Sequence, residues 1–145
     1  MPKTPKGYIE HANLTVSNPD RSAELLKQLL GWVERWRGPS QMGGETIHVG
    51  EEANGASYIA LYTNDDVRAA ASGNGGLHFS KGQPLNHVGL VVDDLDEAER
   101  VVIAAGLEPF SHGDYDPGRR FYFFDWDGIE FEMVAYDNPS TPGAA

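Results

Sequence analysis

Residues 9–16 read Ile-Glu-His-Ala-Asn-Leu-Thr-Val, and residues 86–92 read Asn-His-Val-Gly-Leu-Val-Val. Both alternate with period two, the pattern of a strand that buries one face. In the first stretch Ala12, Leu14 and Val16 point one way, and His11, Asn13 and Thr15 the other. In the second, Val88, Leu90 and Val92 share a face and His87 lies opposite. A helix signal follows each strand. Ser17 or Asn18 caps the first helix, with Pro19 in its opening turn, an apolar stripe of Ala23, Leu26, Leu29 and Leu30, and a stop at Gly31. Asp93 or Asp94 caps the second, Asp96 and Glu97 favour its positive end, Ala98, Val101, Val102 and Ala105 form the stripe, and Gly106 stops it.

The spacing is nearly constant, with 76 residues from His11 to His87 and 75 from Gly31 to Gly106. Strand-rich sequence follows each helix: residues 32–37, 45–49 and 57–62 in the first copy, 107–111, 120–124 and 129–134 in the second. The expected fold class is α+β: two tandem βαβββ modules, residues 8–63 and 85–136, whose sheets curl around a shared cavity. Residues 64–84, rich in Gly, Ala and Ser, read as a linker or flexible loop, and 137–145 as a frayed tail.

Composition bounds the partners. At 145 residues with 40% apolar content, the chain is a single folded domain. No apolar run approaches the length of a membrane span, and basic Met1–Gly7 is not followed by a secretory apolar core, so a cytoplasmic location is expected. Cysteine is absent, which excludes thiolate ligands and a Cys nucleophile. Residues 1–64 carry six Lys/Arg against seven Asp/Glu, whereas residues 83–145 carry three against thirteen. That acidity argues against nucleic acid as a partner and leaves room for a cationic ligand.

A helix must cover one face of each sheet, so the apolar sets face it and both histidines fall on the open face. In the last strand Ile129, Phe131 and Met133 face the helix, leaving Glu130, Glu132 and Val134 open. In the first module Tyr58, Ala60 and Tyr62 take that side, and Ala60 stands where a counterpart of Glu132 would be. His11, His87 and Glu132 thus form a candidate 2-His-1-carboxylate set for a divalent metal (Fe, Mn, Zn or Ni). A lone strand histidine or edge carboxylate is usually structural; matched positions in a repeat reverse that judgement. His48, between Ile47 and Val49, faces the cavity as a candidate acid/base group or a strand-edge histidine. Tyr122 would steer substrate oxygens or form a wall. Tyr58 and Tyr62 would line the cavity. Arg119 and Arg120 would bind an anionic group or balance Asp114 and Asp116. His78 and His112 are expected in loops, and Trp32 and Trp36 in the core or a dimer contact.

The two openings, His11 to Gly31 and His87 to Gly106, together with the closing stretch Arg120-Phe-Tyr-Phe-Phe-Asp-Trp-Asp-Gly-Ile-Glu-Phe-Glu132, resemble the vicinal oxygen chelate superfamily. That superfamily includes glyoxalase I, bleomycin-resistance proteins, fosfomycin-resistance transferases, methylmalonyl-CoA epimerase and extradiol dioxygenases. The resemblance spans roughly residues 8–136, with Trp126 in place of the proline usual in the Asp-x-Asp-Gly turn. It implies metal ligands at His11, His87 and Glu132. Ala60 counts against the glyoxalase and epimerase patterns, which take a fourth ligand from the first module. Met-Val-Ala-Tyr-Asp-Asn-Pro after Glu132 lacks the cation of the fosfomycin transferases. Tyr122, ten residues before Glu132, matches a tyrosine frequent in extradiol enzymes. The expectation is a metalloenzyme acting on a small oxygen-rich molecule, with dioxygenase chemistry favoured over lyase or isomerase chemistry. A metal-free binding protein of the bleomycin type and a non-catalytic relic stay open, and a homodimer is expected. The cavity forms within one chain, or between His11 of one chain and His87 and Glu132 of another.

Overall fold

Asn18 and Asp94 set where the two long helices begin. In a computed structural model, which describes residues 9–40, 43–52, 55, 57–72, 85–115 and 118–136, the Asn18 side chain accepts from Arg21 N and the Asp94 side chain from Glu97 N. Each satisfies a backbone donor that the first helical turn leaves without an intrahelical partner. Gly31 at φ 66° and Gly106 at φ 84° follow the helix ends in the left-handed region, which costs glycine little.

The chain runs β1 (His11–Thr15), α1 (Pro19–Leu30), β2 (Val33–Pro39), β3 (Glu45–Gly50) and β4 (Tyr58–Thr63). After α2 (Asp65–Ser72) the order repeats as β5 (Val88–Val91), α3 (Leu95–Ala104), β6 (Phe110–Tyr115), β7 (Gly118–Phe124) and β8 (Glu130–Tyr136). The sheets are ordered β1-β4-β3-β2 and β5-β8-β7-β6. In each, the first strand lies parallel to the last and the remaining pairs are antiparallel. The repeated βαβββ module is therefore real in topology.

The apolar sets pack as their alternation dictates. Leu14, Val16, Ile47, Val49, Ile59 and Leu61 are buried with Ala23, Leu25, Leu26 and Leu29 of α1. Leu90, Phe121, Phe123, Phe131 and Met133 are buried with Leu95, Ala98 and Val102 of α3. All belong to one continuous core, and each such large side chain contributes roughly 1.5–3 kcal/mol by leaving water. The modules pack together through α1 against α3. Ser17 N donates to Asp127 Oδ1 across the junction at 3.1 Å, and the Arg21 guanidinium lies 4.5 Å from the centre of the Trp126 ring.

Three local expectations are corrected. Residues 65–72 of the presumed linker form α2, because Asn64 caps it by accepting from Val67 N at 2.8 Å; residues 73–84, with His78, lie outside the described residues, as does the 137–145 tail. The sixth strand covers 110–115 rather than 107–111. Leu107 N is used to close α3 on Val102 O, and Pro109 has no N–H for a ladder. His112 consequently sits in β6 instead of a loop, and meets Glu99 Oε1 at 3.0 Å.

Candidate metal and ligand site

The open face of each sheet collects the polar and aromatic side chains that alternation turns away from the helix. In the second module, parity places His87 just before β5 and Glu132 in the middle of β8. His87 Nε2 lies 3.0 Å from Glu132 Oε1. The other Glu132 oxygen accepts from Arg120 NH1 at 2.9 Å. Asn86 Oδ1 lies 2.8 Å from His87 Nδ1, and buried Glu130 is 3.6 Å away on the same side. Tyr122, cross-strand neighbour of Glu132, presents its ring to His87 at 5.7 Å and 88°.

His87 therefore has an oxygen beside each ring nitrogen, Asn86 Oδ1 at Nδ1 and Glu132 Oε1 at Nε2. An N–H donated from Nε2 to the carboxylate, or a metal ion bound to both atoms, accounts for this approach. Ligands about 2.1 Å from an ion and at right angles to each other are about 3.0 Å apart. The pair therefore fits as two adjacent ligands of a divalent ion, with a donor set of imidazole and carboxylate suited to Mn, Fe or Zn.

The first module carries a matching half. His11 Nδ1 meets Glu10 Oε1 at 2.9 Å, repeating the contact of His87 with the residue before it. The His11 ring stacks on Tyr58 at 4.8 Å, and Tyr58 stacks on His48 at 4.5 Å. Trp36 lies 4.9 Å from His48, and Arg35 sits 4.8 Å over Tyr58. Burial first, then His11 and Arg35, hold the His48 imidazole below its ordinary value, and burial with the Glu10 charge raises the Tyr58 hydroxyl. His48 opposes Ala60, as Tyr122 opposes Glu132, so His48 and Tyr122 are counterparts and Ala60 holds the register position of Glu132. Ala60 itself is covered, at 2% exposed.

The structure thus brings His87 and Glu132 together, and groups His11 with His48 and Tyr58. Among the described residues no three His, Asp or Glu side chains gather so as to hold an ion within one chain. Arg120 faces the Glu132 carboxylate. Tyr62 is tied by its hydroxyl to Gly43 O and Asn64, and Arg119 pairs with Asp96. Sequence reasoning passed over Glu10 and Asn86. Their signal was available, since an acceptor residue precedes each histidine at the same 76-residue spacing.

Two βαβββ modules, each a four-stranded sheet with a helix on one face, define the class of fold to which the chain belongs. The model of the Glyoxalase/Bleomycin resistance protein/Dioxygenase superfamily matches residues 8–133, and the chain belongs to that superfamily. The structure is similar to a glyoxylase/bleomycin resistance protein/dioxygenase domain from Frankia sp. EAN1pec, at 24% identity and TM-score 0.69, covering 91% of this chain and 99% of that one. It is also similar to the fosfomycin resistance protein FosX from Listeria monocytogenes (17% identity, TM-score 0.64, 90% and 93% covered). FosX from Mesorhizobium loti matches at 18% identity and TM-score 0.63, with 92% and 94% covered. A mutant of the Listeria protein has been solved with Mn(II) and a dihydroxypropylphosphonic acid. At these identities the likeness is one of fold. Among curated proteins none matches this chain. No helix among the described residues is long and apolar enough to cross a membrane.

Proposed function

We propose that the protein is a divalent-metal-dependent enzyme acting on a small oxygen-rich molecule, its ion held by His87 and Glu132 of one chain and His11 of a second copy. The observation that carries this is the 3.0 Å approach of His87 Nε2 to Glu132 Oε1, with Nδ1 engaged on the other side. A second copy is invoked because no three such side chains gather within one chain among the described residues. Exposed Trp36 on the first open face, and Val91 and Phe124 on the second, offer apolar surface for a partner to cover. Pairing the nearly neutral first module with the acidic second module of another chain avoids facing two acidic surfaces.

A bound ion would supply positive charge to an oxyanion developing on the substrate. The chain's own groups do the rest. Asn86 and Glu10 would orient the imidazoles, Arg120 holds one Glu132 oxygen by donating to it, and His48, beside His11, is placed to take a proton from the substrate. Within the class, dioxygenase chemistry is favoured over lyase or isomerase chemistry because Ala60 supplies no fourth ligand. A metal-free small-molecule binding protein is the second reading, favoured by the fact that a proton also satisfies the His87–Glu132 pair.

Metal content of protein purified without chelators tests the proposal. Wild type retains a divalent ion, His87→Ala and Glu132→Gln lose it, and Glu130→Gln keeps it. Wild type without metal removes the enzyme reading. Oxygen uptake with a catechol panel, against turnover of a hemithioacetal, separates the two chemistries.

A further inference from the structure

We propose that a bulge in β2 makes the open face of the first module a binding platform for a carboxylate on a flat aromatic skeleton, with Arg35 as the anion-binding residue. Glu34 pairs with Val49 and Trp36 with His48, so Arg35 is the extra residue on its strand. Regular alternation would send Arg35 to the helix side, where Arg37 meets Asp20 of α1 at 2.7 Å. Instead its guanidinium lies 4.8 Å from the centre of the Tyr58 ring, on the open face. A bulge of this kind re-aims a side chain and is frequent beside functional sites.

The bulge brings a cation to a cluster of rings. His11, Tyr58 and His48 lie within 28° of one another, with centres 4.8 Å apart for His11 and Tyr58 and 4.5 Å apart for Tyr58 and His48. Near-parallel rings accept a flat ligand in one orientation. Trp36, tilted 46° to His48 and 47% exposed, stands at the side as a wall. A ligand ring laid against Trp36 has Arg35 next along the strand to meet its substituent.

Arg35 decides the charge of that substituent. NH1 donates to Ser57 O at 3.2 Å, and the guanidinium rests on Tyr58; neither contact supplies a counter-charge. Glu10, the carboxylate beside the cluster, meets His11 Nδ1 at 2.9 Å and accepts from the Tyr58 hydroxyl at 3.3 Å. The planar guanidinium edge matches a carboxylate by parallel N–H donation. The other described Lys and Arg side chains of this module lie elsewhere: Arg21 and Lys27 on α1, and Arg37 against Asp20. Arg68 is on α2 beside Glu45. One cation suits a singly charged carboxylate better than a doubly charged phosphoryl group. The acidity of the chain lies in residues 83–145, whereas residues 1–64 carry six Lys/Arg against seven Asp/Glu. The second module lacks the device. Phe110 opposes Tyr122 as Trp36 opposes His48, so Pro109 stands where Arg35 does. Arg119 and Arg120 are engaged by Asp96 and Glu132.

As a binding platform, the cluster stands without the metal. As the place where a substrate's anionic end docks, it rests on the catalytic reading above, because His11 belongs to it. The test uses the full chain stripped of metal with EDTA, so that no ion attracts the carboxylate. It is titrated with benzoate and with benzamide, the neutral counterpart, and followed by amide chemical shifts. Benzoate is expected to bind about tenfold more tightly than benzamide, with shifts centred on Arg35, Trp36 and Tyr58. Arg35→Gln abolishes that preference, and Trp36→Ala weakens binding of both. Equal affinities in wild type, or a preference retained in Arg35→Gln, overturn the proposal. Should Arg35→Gln fail to fold, the wild-type shifts decide, and benzoate shifts that spare Arg35 and Tyr58 are fatal. The titration needs no ion, and the metal contents of His87→Ala and Glu132→Gln do not involve Arg35, so the two readings fail separately.

Discussion

Replacing Asp125 by Asn perturbs a buried charge at the junction of the modules. Asp125 is 8% exposed and lies with Leu14, Leu25, Leu26, Leu61 and Phe131 around a small void. Burial, opposed in part by N–H donation from Ile129 and Asp127, pushes its carboxyl up from 3.8 to about 6. The folded protein therefore binds this proton more tightly than the unfolded chain does. The stabilisation from protonation is complete below about pH 4 and is lost as pH rises through about 6. At about 1.4 kcal/mol per pH unit, the ionised group costs the fold on the order of 3 kcal/mol at neutral pH. Asparagine keeps an oxygen for the Asp127 and Ile129 amides, each now 2.9 Å from Oδ1, and removes the charge. Urea unfolding should find Asp125→Asn more stable than wild type at pH 7.5, by up to about 3 kcal/mol, with the gap narrowing at pH 5 and closing near pH 4. A gap that is the same at pH 5 and 7.5, or that grows on acidification, would refute the assignment. The comparison with the variant matters because Glu10 and Glu34 are shifted the other way.

Phe121→Ala empties a fully buried position beside Phe123 and should lower stability by about 3–5 kcal/mol in the same assay; a loss under 1 kcal/mol would mean the second core is not packed as described. Asp94→Ala removes the α3 cap and should cost about 1 kcal/mol, read as a fall in thermal midpoint. Asp127→Ala leaves Ser17 N at the module junction without its acceptor, at about 1–3 kcal/mol by urea titration.

Much of this architecture was legible because its signals are local. Asn18, Pro19 and Gly31 act within one turn of α1, and period-two alternation fixes which face of β1, β4 and β8 is buried. The same parity put His87 and Glu132 on one face, and the repeat marked them out. The start of β6 was not legible: Leu107 looks like a strand residue, but its N–H is drawn back into the end of α3. The helix after Asn64 was obscured by a Gly/Ala/Ser-rich composition although its cap and acidic first turn were present. The Arg120–Glu132 contact is a diagonal cross-strand pair, set by the β7–β8 register rather than by any neighbouring residue. The separation of His11 from His87 depends on how whole modules pack, and no short stretch encodes that.

The central claim, a metal site shared between two copies, is tested most directly by subunit complementation. His11→Ala and His87→Ala are purified separately, mixed, unfolded and refolded together, and bound Mn(II) is measured. Each variant alone should bind none. A mixed dimer regains one intact site of two, and random pairing makes half the dimers mixed, so binding should recover to about a quarter of wild type. No recovery in a mixture that forms mixed dimers would contradict a site built from His11 of one chain and His87 and Glu132 of the other.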